Sequence, residues 1–584
     1  MPSYDLIIRN GTIVDGTGTP RFAGDVAVKD GLIAAVGSIT GSAAQEIDAA
    51  GLVVAPGWVD VHTHYDGQAT WDAEMAPSSW HGVTTVIMGN CGVGFAPAAP
   101  DRHDWLIGLM EGVEDIPGTA LAEGMKWDWE SFPEYLDALE KMPRAVDIGT
   151  HVPHGAVRAY VLGEREQPGA VPTEADIARM ADIVEEGVRA GALGFSTSRT
   201  VIHRSVDGEL VPGTNATAEE LIAIGRAMGK VGHGVFEMAS DLRREWNEFA
   251  WMGALSRETG LPVTFAALQS IAKEMPLAEQ IAEMRAENDN GANIVAQIAL
   301  RGNGIIMAWQ GTVHPFMLRP AWQKLAGLGW EEQKARLRDP AFRAELLASA
   351  PDLSQLPDGM AGIGGIISGG WTMQFEMDDS FDYEPGPDAS IAARAAARGM
   401  SPEEYAYELL CADECRGLIY LPILNYADGN LDFLEALQAS DDTVNSLSDG
   451  GAHCGTICDA ASPTFMLQHW VRDRKRGGRI SLEAAVKRQC HDTARLYGLD
   501  DRGLITPGYL ADLNLIDIDA IRLGRPWLAF DLPAGGKRLL QKAEGYRATI
   551  KGGVVTFRDG AWTGATPGGL IRGPQQVALA EAAE

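Results

Sequence analysis

Positive charge is scarce in this chain: 48 Lys and Arg stand against 80 Asp and Glu, a formal net charge of −32. The acidic residues are spread along the sequence without an acidic tail, which reads as a solvated surface. Nucleic acid and anionic membranes reward the opposite sign, so neither is an expected partner. Cysteine is also sparse, with six in 584 residues, too few for a disulfide scaffold. Cys411/Cys415 and Cys454/Cys458 are each spaced like neighbours on one helix turn, but no CxxC occurs, and buried free thiols are the simpler reading. No stretch offers the roughly 18 consecutive apolar residues of a membrane span. The opening Met1-Pro2-Ser3-Tyr4-Asp5-Leu6 lacks a charged-then-apolar leader, so the expectation is a soluble, cytoplasmic protein. Glycine is abundant instead, at 68 residues, which points to many tight turns. Apolar residues at 46% and charged residues at 22% exclude a disordered chain.

The first 55 residues read as short strands and turns. Tyr4–Arg9 runs into Asn10-Gly11, a hairpin signal, and Asp30-Gly31 separates two more strand-like runs. The far end repeats this texture at 511–516 and 548–555, so residues 1–55 and 505–584 are expected to assemble one small β-sandwich domain. Between them the rhythm changes. Val83–Met88, Asp147–His151, Ala192–Ser196, Gly234–Met238 and Pro262–Ala266 are short β-like runs, separated by helical stretches such as Glu174–Ala190 and Ala218–Val231. Alternating strands and helices predict an α/β fold, a (β/α)8 TIM-like barrel over 56–504. Residues 310–440 break the rhythm and are read as a large insertion near the barrel mouth.

Pro56-Gly57-Trp58-Val59-Asp60-Val61-His62-Thr63-His64 is the sharpest local signal. Strand alternation places His62 and His64 on one face, about 7 Å apart along the backbone. At the carboxyl end of a first barrel strand both would point into the mouth, where a divalent metal takes imidazoles as ligands. Two ordinary histidines at a strand end are the alternative, disfavoured by the flanking Pro-Gly and by Asp66.

In that context the chain resembles the amidohydrolase superfamily. His81-Gly82-Val83-Thr84-Thr85-Val86-Ile87-Met88-Gly89-Asn90-Cys91-Gly92-Val93-Gly94 is similar to the second strand and loop of the N-acyl-D-amino-acid deacylase (D-aminoacylase) branch. The likeness continues through His154–Arg158, Gly191–Thr197, Leu447–His453 and Gly503–Leu513, and leaves out the insertion. It implies Cys91 as a metal ligand beside His62 and His64, with Zn2+ as the expected cofactor. It implies Asp449 as ligand and general base, with water bound to the metal attacking the carbonyl of a small-molecule amide. A buried thiol at Cys91 and a helix cap at Asp449 are the competing readings. Candidate substrate contacts are His154, Arg158, Arg199, Gln269, Arg301 and His453, and a homo-oligomer is expected.

The sequence also departs from that branch. Histidines expected at the ends of the fifth and sixth strands fall at Ala239 and Ala267, and a lysine of the branch falls at Gln269. The arginine that clamps a substrate carboxylate falls near Thr464. One metal per chain, held by His62, His64, Cys91 and Asp449, is therefore expected. The expected substrate is an N-acyl or cyclic amide bulkier than simple N-acyl-D-amino acids, with Trp309, Trp322, Trp330 and Trp371 of the insertion facing it. Alternatives are a deacylase of N-acyl-D-amino acids proper, a ligand-binding barrel without turnover, and nucleophilic chemistry at Cys91.

Overall fold

In the computed structural model, which describes residues 3–167, 169–270, 274–356 and 360–578, eight parallel strands follow one another in chain order. They are Trp58–Asp60, Val83–Met88, Asp147–Pro153, Gly194–Arg199, Val235–Ser240, Val263–Ala266, Ile294–Ile298 and Thr443–Asn445. The last is joined back to the first. His64 N–H donates to Gly450 C=O at 2.7 Å and Asp449 N–H donates to His62 C=O at 3.1 Å. Ser448 Oγ adds a 2.5 Å bond to Asp60 Oδ2. The arrangement is that of a TIM-like barrel, whose active sites lie at the carboxyl ends of the strands. Most of these strands are buried along their whole length, as a parallel sheet covered on both faces requires. The helix Glu174–Ala190 is set by a capping box: Thr173 and Asp176 exchange side chain-to-backbone bonds at 2.9 and 3.2 Å.

The two chain ends share one sheet. Tyr4–Ile13 pairs with Phe22–Lys29, Ala43–Asp48 and Val53–Pro56, and Val53–Pro56 pairs antiparallel with Leu513–Ile516. Asn10-Gly11 is not the hairpin turn expected from its dipeptide. Tyr4–Ile13 runs through it as one strand with a bulge, Asn10 taking φ 61°. A side chain at Gly11 would collide with Val54, so the strand stays close to its neighbour there. Asp30-Gly31, at φ 51° and 79°, is the true two-residue turn. A buried ion-pair group ties this sheet to the barrel. Lys551 lies 3.0 Å from Asp512 and 2.8 Å from Asp147 of the third barrel strand, and Arg502 reaches Asp147 at 2.7 Å. Two stretches of the C-terminal segment leave the sheet. The hairpin Trp527–Leu532/Gly536–Leu540 bonds to Cys454 near the mouth, and residues 567–575 run along the barrel at Ile148 and Leu499.

Between the seventh and eighth strands the chain forms a three-stranded sheet, Asn303–Met307, Ile419–Leu424 and Phe375–Glu376, with six α-helices among the described residues. The helices Trp330–Leu337 and Pro340–Ala348 are separate, broken before Pro340. This segment has its own apolar core, and the four tryptophans expected to face a substrate belong to it. Trp309 and Trp371 are buried in it, Trp322 stacks on Trp309 at 5.2 Å, and Trp330 packs alongside. An excursion of this length needs an interior, and its largest apolar side chains supply it.

Candidate metal centre

His62 and His64 leave the first strand at its carboxyl end, each 1% exposed, with ring centroids 5.4 Å apart. Cys91 comes from the turn after the second strand, at φ 54°, and Asp449 from the segment after the eighth, at φ 48°. Such conformations cost non-glycine residues energy and mark sites held by their surroundings. Donor atoms of His62, His64 and Cys91 all lie within 4.8 Å of one another. No other trio of histidine, cysteine or carboxylate donors gathers among the described residues. Cys91 Sγ is 3.4 Å from His62 Nε2, and Asp449 Oδ1 is 3.5 Å from His62 Nε2 and 3.7 Å from His64 Nε2.

The outward nitrogens of both imidazoles are held from behind. His62 Nδ1 lies 2.7 Å from Gln297 Oε1, and Gln297 Nε2 donates to Thr264 Oγ1 at 3.0 Å. His64 Nδ1 faces Glu114 Oε1 at 3.3 Å. Both rings turn Nε2 inward, the nitrogen a metal would take, with a polar group behind each ring. Glu237, on the fifth strand, accepts the Cys91 N–H at 2.9 Å and stands 4.0 Å from His62 Nδ1.

Charge in this cavity is unbalanced. Burial lowers the basicity of His64, yet the Glu114 and Asp449 carboxylates raise it to about 9. Burial, joined by the neighbouring carboxylates, pushes the Glu237 carboxyl up to about 8 and the Cys91 thiol well above its usual range. Half-buried Asp449 is nonetheless held well below the usual carboxylate range by its bond to His64 and by the His62 and His453 charges. Two inward imidazoles, a thiol and a carboxylate, crowded by further acids, fit a divalent cation, which would neutralise the excess.

The other candidate residues are engaged elsewhere. His154 spends both ring nitrogens on Thr197 and Glu220, at 2.8 and 2.9 Å, and Arg158 grips the same Glu220 at 2.6 and 2.7 Å. Arg199 binds Glu248 at 2.7 Å, and buried Arg301 binds Asp459 at 2.8 and 3.0 Å beneath the Tyr383 ring. Gln269 spends its amide on Asp428 and Ala427. Thr464 is buried and bonded to His81 at 2.8 Å. His453 alone of this group stays beside the centre, its Nε2 3.6 Å from Glu114 Oε2. Ala239 and Ala267 are buried at the ends of the fifth and sixth strands. The cysteine pairs part company: Cys415 lies in the insertion's core and Cys454 and Cys458 in the barrel's. Sequence reasoning missed Glu114, Glu237 and Gln297. A lone polar residue inside an apolar strand, as in Val235-Phe236-Glu237-Met238 and Ile294-Val295-Ala296-Gln297-Ile298, was the available signal; Glu114 carried none.

Known proteins share this architecture. Over 595 aligned residues the chain is 28% identical to an uncharacterized protein of Mycobacterium tuberculosis, covering 96% of this chain and 93% of that one. D-aminoacylase of Alcaligenes xylosoxydans xylosoxydans is 35% identical over 243 residues, 41% of this chain and 45% of the enzyme. A solved D-aminoacylase, described as having a binuclear metal centre, superposes with a TM-score of 0.64 at 24% identity, over 98% of this chain and all of that one. N-acyl-D-glutamate deacylase from Bordetella bronchiseptica, solved with zinc, superposes at 0.62 and 22% identity, over 97% and 99% of the two chains. The amidohydrolase family profile matches residues 45–557. The chain thus belongs to the amidohydrolase family, hydrolases of carbon–nitrogen bonds other than peptide bonds, with its likeness falling on the D-aminoacylase branch.

Proposed function

We propose that this protein hydrolyses the amide bond of a neutral or weakly charged N-acyl or cyclic amide, using one divalent metal, zinc by donor type, held by His62, His64, Cys91 and Asp449. The observation that carries this is the convergence of both Nε2 atoms on Asp449 Oδ1, with Cys91 Sγ 3.4 Å from His62 Nε2. A metal there would act as a Lewis acid, polarising a carbonyl and acidifying water. The protein's own groups do the rest. Asp449 is the most accessible of the four donors, its side chain 17% exposed against 1% for each histidine. Its ionised carboxylate accepts a proton from the attacking water and returns it to the leaving nitrogen. Gln297 and Glu114 keep the imidazoles from rotating.

Substrate charge follows from what the guanidinium groups are doing. A free α-carboxylate in a dry site needs a charge-assisted donor. Thr464 stands in the clamp position and bonds to His81, while Arg158, Arg199 and Arg301 are spent on buried carboxylates. With the tryptophans of the insertion in its own core, charge rather than bulk is the feature that separates this substrate from an N-acyl-D-amino acid. The test is kcat/KM of one zinc-loaded preparation on N-acetyl-D-methionine and on uncharged amides and lactams. Higher values on the uncharged set are expected, and efficient D-selective cleavage of N-acetyl-D-methionine would sink the assignment.

A further inference from the structure

A second imidazole besides His453 comes from the segment that follows the fourth barrel strand. After the fourth barrel strand the chain folds back on itself over residues 200–211. Ser205 N–H donates to Glu209 C=O at 2.8 Å, and Val211 N–H to His203 C=O at 3.3 Å. Arg204 clasps Val201 and Gly208 carbonyls at 3.1 and 2.7 Å, and Asp241 holds Val201 N–H at 3.0 Å. This internal bonding fixes half-buried His203, whose Nδ1 is 2.9 Å from Ser198 Oγ. Ser198 abuts the ligand turn. A Cβ on Gly92 would come within 2.8 Å of Ser198 N, and Gly92 N–H donates to Ser196 Oγ at 3.0 Å. Ser198 thereby links His203 to the turn that carries Cys91, and the titratable groups that act on His203 are those of the centre, His453, His64, Asp449 and His62.

With Nδ1 on Ser198, Nε2 is the ring nitrogen left to meet a ligand. Addition of water to an amide carbonyl builds negative charge on its oxygen, and a preorganised donor there contributes strongly to rate. Asp449, ionised, only accepts, and the fifth and sixth strands end in Ala239 and Ala267. Building on the hydrolase reading above, we propose that His203 is a catalytic residue, its Nε2–H donating to the oxygen of the scissile carbonyl and to the oxyanion formed from it. The new bond joins water oxygen to the carbonyl carbon and the C=O π pair moves to oxygen. Collapse then restores C=O and breaks C–N. The water proton travels through Asp449 to nitrogen, and His203 keeps its own proton throughout.

The experiment uses the full-length cobalt-loaded protein and methylphosphonate, a tetrahedral anion, with the visible cobalt spectrum as the binding signal. His203→Ala should keep the wild-type cobalt content and weaken methylphosphonate at least tenfold, while His203→Gln, whose amide N–H still donates, should recover most of that loss. Equal affinity in wild type and His203→Ala would overturn the assignment, as would loss of cobalt from His203→Ala, which would make His203 a ligand. A wild-type protein that binds cobalt but no methylphosphonate would instead count against the hydrolase reading itself, and with it the role of His203.

Discussion

Glu114→Gln isolates the contribution of the carboxylate behind His64. The two side chains meet at 3.3 Å, and both residues are 1% exposed, so solvent screens the contact little. The contact lacks hydrogen-bond geometry and acts through charge; a partner behind a metal-bound histidine typically holds about 1.4–2.7 kcal/mol of metal affinity. Replacing the carboxylate by a neutral amide of the same shape should remove most of that from metal binding, a ten- to hundredfold loss of affinity, in line with other partners of metal-bound histidines. The same change should also touch the metal-free protein. There the Glu114 carboxylate favours the protonated form of His64, so its neutralisation removes a favourable contact and should lower metal-free stability modestly. The assay is paired: chelator competition for zinc affinity, and thermal unfolding with and without zinc. The zinc-induced rise in stability should shrink by about 1.4–2.7 kcal/mol, the linkage equivalent of ten- to hundredfold. Wild-type zinc affinity in Glu114→Gln would refute the reasoning, and a large fall in metal-free stability would show that Glu114 serves the fold instead.

Elemental analysis of the purified protein should find close to one divalent metal per chain; two filled sites would mean that residues other than Ala239 and Ala267 rebuild the second. Asp449→Asn should lower kcat by about 10²–10⁴ with the far-UV circular dichroism of the wild type, whereas Cys91→Ala and His64→Ala should lose metal and activity together. Glu384 tests acid stability away from the centre: buried, it is held at about 2 by His469, at 2.9 Å, and Arg474, at 2.9 and 3.1 Å, against the opposing effect of burial. A carboxyl lowered on folding stabilises fully above its unfolded value of about 4.5 and ceases to do so as pH falls through about 2. Stability in urea should therefore decline across that window, and Glu384→Gln should flatten the decline while costing about 1.5–3 kcal/mol at pH 7, since buried Arg474 loses one of three carboxylate partners and keeps Asp432 at 2.6 Å and Glu435 at 2.8 Å.

What the sequence alone determined is what local chemistry governs. The helices Glu174–Ala190 and Ala218–Val231 and the strand Val83–Met88 stand where their caps and apolar runs place them. The convergence of His62 and His64 was legible because two residues of separation on an extended chain suffice to aim two side chains together. Asn10-Gly11 shows the limit even of local signals, since one dipeptide suits a turn or a bulge and only the neighbouring strands choose. The tertiary structure decided the rest. Glu114, Glu237 and Gln297 reach the centre from segments scattered over nearly two hundred residues, brought together only by closure of the barrel. Arg158, Arg199 and Arg301 are indistinguishable from substrate clamps in sequence, because a guanidinium binds any carboxylate placed beside it; folding had already supplied Glu220, Glu248 and Asp459. The tryptophans went the same way, drawn into the interior of an insertion that had to build a core of its own.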